Sequence, residues 1–178
     1  MEDRLELNIL HAIQRLHTDW LDQFMIFITS LSNHSEIWIL CAVVLICSKK
    51  TRKSGITVCI SLIIMFILGN AILKNIFARP RPCWIDPSIK LLIENPKDFS
   101  FPSGHTYSSF AAAISIFLYE KKLGIYAIAL ASMIAFSRMY LFVHFPTDIL
   151  GGIMMGIITA YFARYITEKI YNQKCLNH

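Results

Sequence analysis

Three groups of polar residues in this sequence have types and spacings that could do chemistry together. Lys74 precedes Arg81-Pro82 by seven residues, Pro102-Ser103-Gly104-His105 forms a compact run, and Ser137-Arg138 is followed by His144 and then Asp148. The chemistry they suit is phosphate handling. Lys74, Arg81 and Arg138 are enough cations to hold a phosphate dianion, the arginines gripping its oxygens in a fork. Pro-Ser-Gly is suited to open a helix, whose first N–H groups are unpaired, and the glycine lets the chain approach an anion closely. His144 and Asp148 stand at i and i+4, so one helical turn brings carboxylate to imidazole. An Asp accepting from one ring nitrogen fixes the tautomer and leaves the other nitrogen free to attack. His105 is then a second imidazole, suited to protonate a leaving oxygen. Taken singly, each residue has a plainer reading: a cation reaching for headgroups, a helix start, a solvated loop histidine. Their joint placement on one face of a bundle favours the chemical reading.

The elements that must position these groups are apolar. Gly55 to Leu73 runs nineteen residues without a charge, close to the roughly 20 that span a bilayer core. Tyr107 to Tyr119 (extendable back to Ser103), Leu123 to Ser137 and Ile149 to Ala163 are further candidate spans. Trp20 to Leu31 and Ile37 to Cys47 read as two short or tilted helices around the polar break Ser32 to Glu36. Before them, Leu5, Leu7, Ile9, Leu10, Ile13 and Leu16 are interspersed with polar residues. That pattern suggests a helix lying along the interface, with a cytosolic extension as the alternative. Acidic residues after Met1 do not match a cleavable signal peptide. The expected fold is all-α, a polytopic membrane helix bundle of about six transmembrane helices in a single domain, residues 1–178.

Composition agrees with this. The 178 residues are 55% hydrophobic and only 16% charged, against about 25% charged in ordinary soluble domains. A disordered chain is excluded, because disorder needs low hydrophobicity and high net charge. The net charge of +5 lacks the clustered basic face of a nucleic-acid binder. If six helices alternate, Arg4, Arg15, Lys49, Lys50, Arg52, Lys53, Lys121, Lys122, Arg164, Lys169 and Lys174 share one face. The positive-inside rule makes that face cytoplasmic. Both termini would then be cytoplasmic, with Arg79 to Pro102 and Arg138 to Thr147 facing outward. If only one of the first two apolar stretches crosses, the N-terminus moves and the later assignments survive. Cys41, Cys47, Cys59, Cys83 and Cys175 form no ligand-like spacing and no even disulfide framework.

The three groups resemble the signature of the type 2 phosphatidic acid phosphatase (PAP2) family, K-x6-RP, PSGH and SR-x5-H-x3-D, with every spacing matched between residues 74 and 148. The first 50 residues carry no motif. The resemblance implies that His144 attacks phosphorus to form a phosphohistidine, Asp148 orients it and His105 protonates the leaving group. It further implies that Lys74, Arg81, Ser103, Gly104 and Arg138 bind the phosphate. No metal or other cofactor is implied.

A site at the outer membrane interface fits a lipid phosphate or diphosphate as substrate, with membrane lipids as surroundings and no nucleic-acid partner. Small family members resemble bacterial undecaprenyl diphosphate phosphatases, which makes undecaprenyl diphosphate the first expectation. Phosphatidylglycerophosphate or phosphatidic acid is the alternative, and a lipid A phosphate a further one. Arg79, Trp84 and Lys90 could read a second phosphate or headgroup, or anchor at the interface. A vanadium haloperoxidase shares such an anion site but is larger and soluble. A transporter or other non-catalytic membrane protein would explain the helices and not the two histidines.

Overall fold

The structure, a computed structural model, describes residues 2–176, except the side chains of residues 2, 3 and 174–176. Lys174 and Cys175, both weighed above, therefore have side chains outside the described set. Among the described residues there is no strand. In order, the elements are α1 (Glu2–Gln14), α2 (Asp19–Ser30), α3 (Glu36–Cys47) and α4 (Arg52–Met65). A π-helical segment, Phe66–Leu73, carries α4 on into α5 (Lys74–Phe77). Then come α6 (Pro82–Ile85), α7 (Gly104–Phe117), α8 (Lys121–Tyr140) and α9 (Pro146–Leu176). The apolar runs read from sequence thus become helices with small shifts at their ends, while α9 extends well past Ala163. Arg52–Ile85, Lys121–Tyr140 and Pro146–Gln173 are long and apolar enough to cross a membrane. Exposed Ile39, Val43, Val44, Ile63, Phe66, Leu150, Met154 and Phe162 coat the outside of the bundle, an apolar surface suited to lipid and not to water.

The core lies between α3, α4, α7 and α8, where Trp38, Ala42, Val58, Ala112, Ile116 and Ile134 pack together. Helices α7 and α9 run side by side in the same direction, and glycine sets their spacing. A Cβ at Gly156 would lie 2.7 Å from the Phe110 Cβ and 2.9 Å from the Ala111 nitrogen. Gly152 and Gly156 form a small-xxx-small stripe of the kind that lets membrane helices approach closely. The close approach aligns the start of α7 with the start of α9, and these two starts carry His105 and Asp148.

Two expectations about the N-terminal part give way. Helix α2 does not cross the bundle. Its Asp22 accepts a hydrogen bond from the Tyr140 hydroxyl (2.5 Å) and its Thr29 accepts one from Arg138 (2.6 Å), so both ends of α2 meet the last turns of α8. Among the described residues, α3, α4 with α5, α7, α8 and α9 run between the two ends. Helix α1 consequently packs at the same end as His144. Gln14 donates to the Tyr140 carbonyl (2.8 Å), and His11 pairs with Asp86 (3.1 Å). Arg4 and Arg15 therefore belong to the site end and not to the opposite face. The other end keeps Lys49, Lys50, Arg52, Lys53, Lys121, Lys122, Arg164 and Lys169, with Lys53 paired to Glu168 (2.8 Å).

Because the α7–α9 contact leaves no room for a methyl group, Gly156→Ala is expected to cost about 1–3 kcal/mol through overpacking. A lowered thermal midpoint in detergent would show this; an unchanged midpoint would mean that the two helices are not held this close.

Candidate functional site

The π-helical segment ends where the chemistry begins. Lys74 is the first residue after it and is buried, and α5 stops at Phe77, two residues before Arg79-Pro80. Ala78 closes α5 in the left-handed conformation (φ 41°), turning the chain so that Arg81 comes back beside Lys74. Helix α7 opens at Gly104 with Ser103 before it. The loop after α8 is packed by Tyr140, Leu141, Phe142, Val143 and Phe145 against Leu10, Met25 and Cys83. Phe142 is fully buried at φ 58°, a conformation costing a bulky residue about 1–2 kcal/mol. That apolar grip holds the neighbouring His144 in place.

Lys74, Arg81, Gly104, His105, Arg138 and His144 line one cavity of about 770 Å³ at this end of the bundle. Around them stand Asn33, His34, Ser35 and Asn70, with Ile93 to Asp98 as a loop wall. Arg81 is the most fully engaged cation. It donates to the Asp98 carbonyl (2.7 Å), the Asp98 carboxylate (2.8 Å), the Val143 carbonyl (2.8 Å) and His144 Nε2 (3.0 Å). Arg138 reaches the cavity with one N–H on Thr29, while its buried Nε has no protein partner. A buried donor left unpaired is costly, so Arg138 is poised for an incoming oxygen. His105 Nε2 lies 3.3 Å from the Asn33 Oδ1, which fixes that ring from the α2–α3 turn.

The His144 contacts settle which nitrogen carries the lone pair. A guanidinium has no acceptor, so the nitrogen it donates to must carry the lone pair. In this state His144 Nε2 is that nitrogen, facing the cavity, and Nδ1 holds the proton. Nδ1 points at the Ser100 hydroxyl (3.4 Å) and at Asp148 Oδ2 (3.5 Å). His144 is 1% exposed. Burial pushes its basicity well below the ordinary histidine value, and the charges of Arg81, Arg138 and Lys74 add to the shift against the weaker pull of Asp98. The ring is thus neutral at neutral pH.

Asp148 and Ser103 stand behind the cavity wall. Asp148 is fully buried and accepts from the Ser100 hydroxyl (2.5 Å), the Phe145 N–H (2.8 Å) and Arg79 (2.7 Å). The last contact turns Arg79 toward Asp148 and away from either role offered for it from the sequence. Trp84 donates to Asn95 (3.0 Å), and neither it nor Lys90 lines the cavity. Ser103 also departs from expectation. Its backbone N–H donates to the Asp148 carbonyl (3.2 Å), and its hydroxyl accepts from Thr106 (3.0 Å). It ties α7 to α9 and leaves the anion-facing position to Gly104, where a Cβ would sit 3.7 Å from Lys74 Nζ.

A family model described as the PAP2 superfamily matches residues 54–171, which hold every one of the motif residues. The chain belongs to the PAP2 superfamily. An undecaprenyl-diphosphatase of Sulfolobus acidocaldarius is 34% identical over 76% of this chain and 66% of its own length. The match thus spans just under two thirds of that relative. Undecaprenyl-diphosphatase BcrC of Bacillus subtilis is 30% identical over 88% of this chain and 81% of its own length. Among solved structures, a transmembrane PAP2 type phosphatidylglycerolphosphate phosphatase from Bacillus subtilis superposes with a TM-score of 0.76 at 27% identity. That superposition covers 94% of this chain and 87% of the other.

Asp98, Ser100, Glu6 and Asn33 are site residues that the sequence did not single out, since no motif spacing marks them. Asp98 is the most consequential. Its carboxylate pairs with both Lys74 and Arg81 at the cavity wall. Burial alone would raise its pKa, but the Lys74 hydrogen bond and charge, with those of Arg81, hold it down to about 2. A depressed carboxylate stabilises the fold above its unfolded value of 3.8, and that contribution is lost as pH falls toward 2. The pair is intact at every working pH. Asp98→Asn removes the competing charge, so inorganic phosphate should inhibit the variant at a several-fold lower concentration. Unchanged inhibition would mean that Asp98 does not compete for the cradle.

Proposed function

We propose that this protein is an integral membrane lipid phosphatase that converts undecaprenyl diphosphate to undecaprenyl phosphate through a phosphohistidine. The observation that carries the reading is the buried, neutral His144 with its Nε2 lone pair turned into a cavity that also holds Lys74, Arg81 and Arg138. In the first step an oxygen of the bound phosphate takes over the Arg81 N–H, the freed Nε2 lone pair attacks phosphorus, an N–P bond forms and the bond to the leaving lipid phosphate oxygen breaks. His105, protonated when the negatively charged substrate fills the cavity beside it, gives that oxygen a proton. In the second step water, losing its proton to His105, attacks the phosphohistidine and releases inorganic phosphate. Lys74, Arg81, Arg138 and the N–H groups at Gly104 stabilise charge on the phosphoryl oxygens, the kind of electrostatic effect that dominates such reactions. Asp148 holds the Nδ1 proton side of His144 as the ring becomes cationic. No metal takes part.

The named activities of the Sulfolobus and Bacillus relatives support the diphosphate substrate, as does a cavity roomy enough for two phosphates. The Bacillus phosphatidylglycerolphosphate phosphatase likeness supports a second reading, with that lipid as substrate. The basic residues gathered at the end opposite the site support an active site on the outer face of the cytoplasmic membrane. Helix α1 then lies on that outer face as well, packed against the site through Glu6 and Gln14.

Phosphate release by the purified protein from undecaprenyl diphosphate, phosphatidylglycerophosphate and phosphatidic acid tests the substrate. The first is expected to be fastest; a faster second lipid would move the assignment to it. His144→Ala is expected to abolish release while the protein remains folded, and activity is expected to survive chelators. Retained turnover in His144→Ala would remove the nucleophile, and a strict need for a divalent metal would remove the mechanism.

A further inference from the structure

Helix α1 lies outside the region matched by the family model, yet it places a carboxylate in contact with the catalytic loop. Glu6 is 7% exposed, and both of its oxygens are used. Oε1 accepts from the Thr147 N–H (2.9 Å) and hydroxyl (2.7 Å), and Oε2 accepts from Arg79 (2.5 Å). Arg79 in turn donates to the Asp148 Oδ1 (2.7 Å) and the Thr147 hydroxyl (2.6 Å), and lies over the Phe145 ring at 4.2 Å.

The start of α9 shows what Glu6 is for. The first turn of a helix leaves N–H groups without partners, and a Ser, Thr, Asp or Asn before the helix usually supplies an oxygen. Here that position is Phe145, which has none. Asp148 reaches back to the Phe145 N–H (2.8 Å) in the manner of a capping box. Pro146 has no N–H. Thr147 is the remaining first-turn donor, and Glu6 accepts it from another helix. One residue thus caps α9 from outside and, through Arg79, fixes the oxygen of Asp148 that does not face Ser100 and His144.

We propose that Glu6 is a positioning residue for the phosphatase reaction: acting through Arg79 and the first turn of α9, it sets Asp148 and thereby the ring of His144. The assignment rests on the phosphatase reading given above. It makes α1 part of the working site, and it explains why an amphipathic helix without a motif is packed at this end. Glu6 touches neither substrate nor His144, so its effect is on the geometry of attack and not on phosphate binding.

The test uses the full-length protein in detergent with undecaprenyl diphosphate. Glu6→Gln keeps an acceptor for Thr147 and loses the ion pair with Arg79. It is expected to lower kcat about 10- to 100-fold, the range that a small misplacement of reacting groups produces. KM and inhibition by inorganic phosphate should stay within about twofold, because the cation cradle is untouched. Glu6→Asp should recover part of the loss. In an Arg79→Met background, Glu6→Gln should add little, since both act through one chain of contacts. A fall in thermal midpoint with kcat unchanged would reduce Glu6 to a structural cap and overturn the proposal. So would losses in the two variants that simply multiply. The 15N resonances of the His144 ring give a reading independent of turnover: Glu6→Gln should shift them, and identical spectra would also overturn it. If the wild-type protein released no phosphate, the phosphatase reading would fall and the ring resonances alone would decide whether the relay exists.

Discussion

An arginine cannot accept a hydrogen bond, and that single restriction organises this site. Arg81 donates to His144 Nε2 at 3.0 Å, so that nitrogen must hold a lone pair and the proton must sit on Nδ1. Arg81 is itself pinned by the carbonyls of Val143 and Asp98 and by the Asp98 carboxylate. The His144 ring is therefore oriented from the cavity side by a cation and from the rear by Ser100 and Asp148. Burial among three positive charges keeps the ring neutral, which a nucleophilic imidazole requires.

Everything around the pair serves to keep its two sides in register. Lys74, Arg81 and the Gly104 turn come from the chain on one side, His144 and Asp148 from the loop and helix on the other. The close α7–α9 contact through Gly152 and Gly156 brings these halves together, and the Ser103 N–H to Asp148 carbonyl bond ties them at the top. Apolar packing of Phe142 and Phe145 holds the loop between. A cavity with so many cations would repel itself when empty. Asp98 offsets this, and its wall position suits it to yield to a phosphate of greater charge.

Much of this was legible in the sequence, and the reasons differ by residue. Lys74, Arg81, Gly104, His105, Arg138 and His144 could be placed together because helix periodicity and proline positions fix where each lies along its element. The Ser103 contact with α9 was not legible, because a helix-opening serine reads the same whether its N–H meets an anion or the carbonyl of another helix. Arg79 was left open for a similar reason: nothing in a run of Arg-Pro-Arg-Pro says which arginine turns inward. The sequence left open whether both of the first two apolar stretches cross. Trp20 to Leu31 has the apolarity of a span, and only its contacts with Tyr140 and Arg138 reveal that it lies across the end of the bundle. Glu6 and Asp98 carry no local signal, since their partners are distant in the chain.

The assignment of a nucleophilic nitrogen is the claim on which the chemistry stands, and trapping the intermediate tests it. Protein mixed with lipid diphosphate labelled at the terminal phosphorus, then quenched in alkali within the first turnover, should carry an acid-labile phosphoryl group on His144. Digestion and comparison with the two phosphohistidine isomers should place it on Nε2. Label on Nδ1, on another residue, or turnover without any covalent phosphate would contradict the mechanism.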